Sequence, residues 1–318
     1  MIVTPENMSF DSKKFSMILY GSPGVGKTTL ALSAPDPVLI DFDRGMSRVK
    51  AQHRKPAIFC DTYEEVLKDL ESPAMKDFQT IVVDTGGSFI TFLQDWAMRS
   101  DPKVNRQKNG AISLKGFGAV KTEFVRFTNY VKDTLNKNLI YVFHSQEQSD
   151  KDGNATQRLM CEGAAKNIVW TPCDFGGYVQ MIGNQRVVCF SPDQEYFAKG
   201  CHGITGQITV PELGPNDENN FITKLFDQAK ANIAAESEAY APIKEQYDRV
   251  METARLMVDK ITDADSALQV MNDILALEHA STSKKECSKM VKDKAASIGL
   301  KYSPAVKKFI EISKGKEG

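Results

Sequence analysis

The segment Gly21-Ser22-Pro23-Gly24-Val25-Gly26-Lys27-Thr28 satisfies the pattern G-x-x-x-x-G-K-[ST] at every position. It constrains the fold because the pattern works only where a strand ends and a helix begins. Ser16 to Tyr20 predicts a short buried strand before it, and Thr28 to Ser33 predicts a helix after it. In that setting the glycines let backbone N–H groups turn toward a phosphate. Lys27 adds a point charge on the β/γ oxygens, Thr28 can hold Mg²⁺, and the helix N-terminus favours the anion further. Gly21, Ser22, Pro23, Gly24, Val25, Gly26, Lys27, Thr28 and Thr29 are the expected nucleotide contacts.

The loop alone does not choose among kinases, GTPases, AAA+ machines and RecA-like motors. The following strands narrow the choice. Thr80 to Asp84 is an apolar, β-branched run ending in an acid, as a metal-positioning strand of a buried parallel sheet should be. Thr85 follows Asp84 where AAA+ proteins place a water-activating Glu, which counts against that class. Pro37 to Asp41 predicts another strand, continuing Phe42-Asp43-Arg44-Gly45. Asp41 and Asp43 either carry chemistry there or simply end a strand and begin a turn. Asn136-Lys137-Asn138-Leu139 starts like a guanine-reading N-K-x-D but has Leu139 at its last position, so that base specificity is not expected. Arg99, Arg106, Arg126 and Arg158 are too dispersed for the arginine-rich lid of a small-molecule kinase. Leu139 to Phe143 predicts a further buried strand with His144 at its polar end, either a phosphate sensor or a satisfied strand-end histidine.

In order and spacing, Gly21 to Thr28, Asp41-Phe42-Asp43, Val82-Val83-Asp84-Thr85 and Val142-Phe143-His144 resemble the phage RecA-like nucleotide-binding proteins, some of which are single-strand annealing ATPases. The resemblance covers most of the chain before Pro215. It implies an α/β, RecA-like P-loop NTPase core with a mostly parallel sheet, ATP, Mg²⁺, single-stranded DNA and self-association as a filament or ring. A single-strand-binding protein is a further implied partner. It assigns Lys27, Asp43, Asp84 and His144 to catalysis, and Thr28 and Asp84 to the metal. Asp43 stands where the family has Glu, one methylene longer. Lys199 is the candidate to reach a neighbouring subunit's nucleotide, with a surface lysine on a strand edge as the alternative.

The expected organisation is a core over residues 1–218 and a helical region over 219–318. Strands alternating with helices argue for a parallel α/β sheet. Gly183-Asn184 between two apolar runs predicts a hairpin. Beyond Pro215, helices are predicted over Phe221–Ser237, Ala241–Ile261, Ala264–Glu278, Ser283–Ile298 and Ala305–Ile312, with Thr262 and Ser303 as N-caps.

A formal net charge of −1 provides no whole-chain basic field, so nucleic-acid binding would need a local patch. Arg99, Lys103, Arg106, Lys108, Lys115 and Lys121 lie in one polar stretch in which Asp101 is the sole acid, and the flanking glycines of Gly116-Phe117-Gly118 predict a mobile aromatic among these charges. Cations on phosphates with a stacking aromatic are what single-strand binding requires; an ordinary solvated loop is the alternative. Residues 145–160, with Lys151 and Arg158, form a second candidate loop. Asp150 to Asn154 hints at calcium, but Ala155 and Cys161 stand at the required Gly and Glu positions, so a turn is preferred. The Lys-rich end beyond Ser283 reads as solvated helix faces or as auxiliary DNA contact. No apolar run is long enough for a membrane span, and the start Met1 to Glu6 lacks signal-peptide regions. Six scattered cysteines without C-x-x-C fit a reducing compartment, and a cytoplasmic location is expected. Two other functions remain open: a small-molecule phosphotransferase, and a nucleotide-gated binding module with slow hydrolysis.

Overall fold

The computed structural model describes residues 10, 12–149, 155–161 and 169–312. The chain divides into two units, Met1–Ile233 and Ala234–Gly318.

The first unit is built on strands β1 (Ser16–Gly21), β2 (Pro37–Asp41), β3 (Ala57–Ile58), β4 (Thr80–Asp84), β5 (Asn138–Ser149), β6 (Ala155–Leu159), β7 (Phe175–Ile182), β8 (Gln185–Cys189) and β9 (Gln207–Thr209). Their order is β3-β2-β4-β5-β1-β7-β8-β9, with β6 paired to β5. Pairings from β3 through β7 are parallel, and the β7–β8, β8–β9 and β5–β6 pairings are antiparallel. The α/β fold and mostly parallel sheet therefore agree with the sequence reading.

The sheet is apolar on both faces, so its strands read as nearly continuous hydrophobic runs. The period of two still sorts them. Ile18, Tyr20, Ile81, Val83, Tyr141 and Phe143 enter one core with helices α2 (Tyr63–Leu70), α3 (Gly86–Ser100) and α5 (Leu114–Asn129). Met17, Leu19, Val82, Ile140 and Val142 enter the other with α1 (Lys27–Ala31). That second core also takes Ile222, Leu225, Phe226, Ala229 and Ile233 from α6 (Phe221–Val258). Their spacing of three and four residues puts them on one helix face, which ties these turns to the first unit.

Register places the functional ends together. Gly21 pairs with His144 across β1–β5, and Asp41 with Asp84 across β2–β4. β5 stands between the loop strand and the Asp84 strand, so His144 adjoins the glycine loop. Gly21 must lack a side chain because a Cβ there would lie 2.2 Å from the Val179 carbonyl oxygen of β7.

The second unit packs Val250, Ala254 and Val258 of α6 against α7 (Ala264–Leu275), α8 (Ser283–Ser297) and a hairpin of β10 (Leu300–Ser303) and β11 (Lys308–Glu311). The helix expected over Ala305–Ile312 is thus a turn and a strand. Ser303-Pro304 reads as a helix start, but Pro304 sits in the hairpin turn, and the Tyr302 and Phe309 rings meet across the strands at 5.2 Å. α6 is one helix with Pro242 inside it, where two helices were expected. Asp263, not Thr262, caps α7, with Ser266 completing the capping box. Among the described residues no helix is long and apolar enough to cross a membrane.

Candidate functional site

The glycine loop fills the turn between β1 and α1. Gly24 and Gly26 have φ of 77° and 88°, a left-handed backbone that L side chains adopt only with strain. The Lys27 ammonium, 5 % exposed, donates to the carbonyls of Gly21 at 2.9 Å and Ser22 at 2.8 Å. Burial lowers its pKa to about 8, against the opposing pull of Asp84. The Thr28 hydroxyl donates to Asp84 Oδ2 at 2.6 Å. Two hard oxygen donors thus meet at the start of α1, a set suited to Mg²⁺ held by one hydroxyl with a carboxylate behind it.

His144 Nδ1 lies 3.4 Å from Lys27 Nζ. An ammonium only donates, so Nδ1 accepts and Nε2 carries the proton. Burial lowers the His144 pKa, as do the Lys27 and Arg48 charges, while Asp43 opposes them. The ring is therefore neutral at physiological pH, able to report on Lys27 without adding charge.

The two acids after β2 part company. Asp41 is buried, and its oxygens accept from Gly45 N at 2.7 Å and Met46 N at 2.8 Å, so it holds the turn. Asp43 is exposed and accepts from the Ser88 hydroxyl on the first turn of α3. Asp43 and His144 line one cavity of about 390 Å³ with Thr85, Ser88 and Gln146. The sequence offered no sign of Ser88; only the approach of α3 to the β2 turn reveals it.

Burial pushes the Asp84 carboxyl up to about 6; the Thr28 hydroxyl opposes this, and the charges of Asp43 and Asp41 add to it. In the unfolded chain the group titrates near 3.9. Between these values the folded protein keeps a proton that the unfolded chain releases, so stability falls as pH rises through that window. Asp84→Asn is expected to stabilise the nucleotide-free protein by about 2–3 kcal/mol at pH 8, a gain roughly halved at pH 5. Thermal unfolding at the two pH values checks this; an equal gain at both would contradict it.

The cation-rich stretch is not the loop that its composition predicts. Arg99 is in the last turn of α3 and pairs with Glu64 at 2.8 Å. Lys103 is in α4 (Pro102–Asn105), Arg106 begins a turn closed by its bridge to Ile112, and Lys115 lies in α5. Phe117 is correspondingly a half-buried helix residue packed on the first core rather than a mobile aromatic. Gly116 is there for packing, since its Cβ would lie 2.5 Å from Ile112 and 2.6 Å from the Asn105 carbonyl. Lys103, Arg106, Lys108, Lys115 and Lys121 remain exposed.

Residues 145–149 and 155–159 of the second candidate loop are strand, the paired parts of β5 and β6, with Arg158 on β6; Lys151 and the turn expected over 150–154 lie outside the described residues. Lys199 is bridged to Gly176, and its ammonium donates to the Cys173 carbonyl. Cys173 precedes β7, whose start pairs with the start of β1, so this lysine is directed away from the glycine loop of its own chain. Sequence reasoning also missed Arg186 of β8, whose Nε donates to the Val25 carbonyl inside the loop at 2.6 Å.

A family model described as an AAA domain (AAA_24) matches residues 13–202, more than half of the chain. The chain belongs to the AAA domain family. Its first unit is accordingly a nucleotide-binding domain of the P-loop ATPase type. Thr85, the residue after Asp84, serves here as the N-cap of α3 and accepts from Ser88 N at 3.2 Å. Among solved structures, a KaiC-like protein PH0186 from Pyrococcus horikoshii OT3 is similar at 11 % identity and a TM-score of 0.35, covering 62 % of this chain and 89 % of that one. The flagellar accessory protein FlaH from Methanocaldococcus jannaschii is similar at 10 % identity and a TM-score of 0.32, covering 62 % and 90 %. No curated protein matches this AAA domain chain.

Proposed function

We propose that the chain is a Mg²⁺-dependent ATPase that binds single-stranded DNA and promotes annealing or strand exchange. The observation that carries the ATPase reading is the meeting of Thr28 with Asp84 and of Lys27 with His144 at the loop ends of adjacent parallel strands. Lys27 holds the β/γ phosphates once ATP draws its ammonium from the loop carbonyls. Thr28 and Asp84 would hold Mg²⁺, which would supply positive charge to neutralise the phosphates. Asp43 orients a water and takes its proton, and Ser88 fixes the carboxylate. His144 hydrogen-bonds according to where Lys27 sits and so links nucleotide state to β5 and its hairpin.

The exposed cations around α4 support the DNA reading. α3 begins two residues after Asp84 and runs for 15 residues, Gly86–Ser100, about 22 Å of helix, so the cations follow the far end of the helix that starts at the site. If Lys103, Arg106, Lys108 and Lys115 meet phosphates, log K should fall with log salt at a slope of about −3 for single strands. Arg106→Ala with Lys108→Ala should flatten that slope to about −1.5. A titration of labelled single-stranded DNA at several salt concentrations tests this. An unchanged slope in the double variant would remove DNA from this surface. Self-association, as a filament or ring, and a cytoplasmic setting with a single-strand-binding protein as partner belong to the same proposal.

A further inference from the structure

The cavity that Asp43 and His144 share carries three hydroxyls, on Thr85, Ser88 and Thr91. It adjoins the reaction centre, because His144 also reaches Lys27. Phe42 N donates to the Asp84 carbonyl at 2.9 Å, so Asp43 follows directly on the end of the Asp84 strand.

The three hydroxyls are not equivalent. Thr91 Oγ1 donates to the Gly87 carbonyl at 3.5 Å, one turn back along α3. Thr85 Oγ1 accepts from Ser88 N as the helix cap and lies 3.0 Å from Ser88 Oγ. Ser88 alone among them gives its proton to a carboxylate, that of Asp43. With that proton committed to Asp43, Thr85 is the donor in the Thr85–Ser88 pair. Ser88 Oγ is thus oriented by one neighbour and bonded to a base by the other.

Neither element needs the Ser88–Asp43 bond to keep its shape. Asp41 already holds the β2 turn through Gly45 N and Met46 N, and Thr85 already caps α3. A hydroxyl within hydrogen-bond reach of a base that a phosphate site adjoins is the arrangement of an activated nucleophile.

We infer that Ser88 is a phosphoryl acceptor and that the chain transfers the γ-phosphoryl group of ATP to it. Ser88 Oγ attacks the γ phosphorus and forms the new O–P bond. The bond from that phosphorus to the β–γ bridging oxygen breaks, ADP leaves, and the hydroxyl proton passes to Asp43. The inference rests on the reading of Asp43 as the base and adds a second nucleophile beside water. Phosphoserine carries a charge of about −1.5 to −2. On the first turn of α3 the helix N-terminus favours that charge, but it faces Asp43 and removes the hydroxyl proton that Asp43 accepted. Phosphorylation therefore slows further hydrolysis.

The test incubates the full chain with Mg²⁺ and γ-labelled ATP, follows ADP release, and locates protein-bound phosphate by peptide mass spectrometry. Wild type should acquire phosphate on Ser88, with ADP release slowing as the label accumulates. Ser88→Ala should stay unlabelled. Ser88→Thr keeps a hydroxyl on the same helical turn and should be labelled on the same peptide, which separates loss of the acceptor from loss of the fold. Asp43→Asn should lower the labelling rate by about 10²–10⁴-fold. ADP release from wild type without label on Ser88, or ADP release that stays linear at full labelling, overturns the inference and leaves the ATPase reading standing. If labelling runs at full rate in Asp43→Asn, the reading of Asp43 as the base falls and this transfer with it.

Discussion

Lys27→Ala should weaken ATP binding by about 1.5–3 kcal/mol, a loss of roughly 10- to 150-fold in affinity, and abolish measurable turnover. The side chain is the buried cation of the loop, already poised between two carbonyls, and no other ammonium is bonded to the loop backbone among the described residues. A folding defect is separable from this effect. Burial lowers the Lys27 pKa, so the folded protein gives up this proton more readily than the unfolded chain does. Replacing the group with an apolar one of similar length relieves that cost. Lys27→Met should therefore melt at or above the wild-type temperature while losing ATP. Unchanged ATP affinity in a binding titration of either variant would remove the loop from nucleotide binding.

Asp43→Asn should lower ATP turnover by about 10²–10⁴-fold, the usual contribution of a general base, with ATP affinity nearly unchanged. Asn keeps the shape and can still accept from Ser88, so a loss would belong to proton transfer and not to the turn. Asp43→Glu restores the missing methylene and should raise turnover if reach is what limits it. Single-turnover kinetics with separately measured ATP binding distinguishes these outcomes. Undiminished turnover in Asp43→Asn would place the base elsewhere. Asp41 would be a poor replacement, since both its oxygens hold backbone N–H groups of the following turn.

That division between Asp41 and Asp43 marks how far the sequence could be read. The loop was legible because a contiguous pattern specifies strand, glycines, lysine and hydroxyl together. The parallel sheet followed from apolar runs spaced by helical stretches. The roles of two acids one residue apart depend on which backbone N–H groups the turn offers, and no pattern encodes that. Arg186 was out of reach for another reason. It lies 161 residues from Val25, and only the β7–β8 register next to β1 brings them into contact. The cation-rich stretch misled because Gly116 and Gly118 read as flexibility, whereas Gly116 permits the close packing of α5 on Ile112 and the Asn105 carbonyl. The hairpin at residues 300–311 was mistaken because a Ser-Pro pair suits a helix start and a turn equally, and Phe309 settles the matter only through its contact with Tyr302.

On the proposed reading, nucleotide hydrolysis at Lys27, Asp43 and Asp84 is coupled to single-stranded DNA on the cations that follow α3. Steady-state ATP turnover of the full chain with Mg²⁺, measured across a titration of single-stranded DNA, tests it most directly. Turnover should rise and saturate with DNA, disappear in Lys27→Ala, and lose its DNA response in the Arg106→Ala, Lys108→Ala variant. A rate that stays flat to saturating DNA would contradict the coupling and favour a phosphotransferase or a slow nucleotide switch built on the same loop.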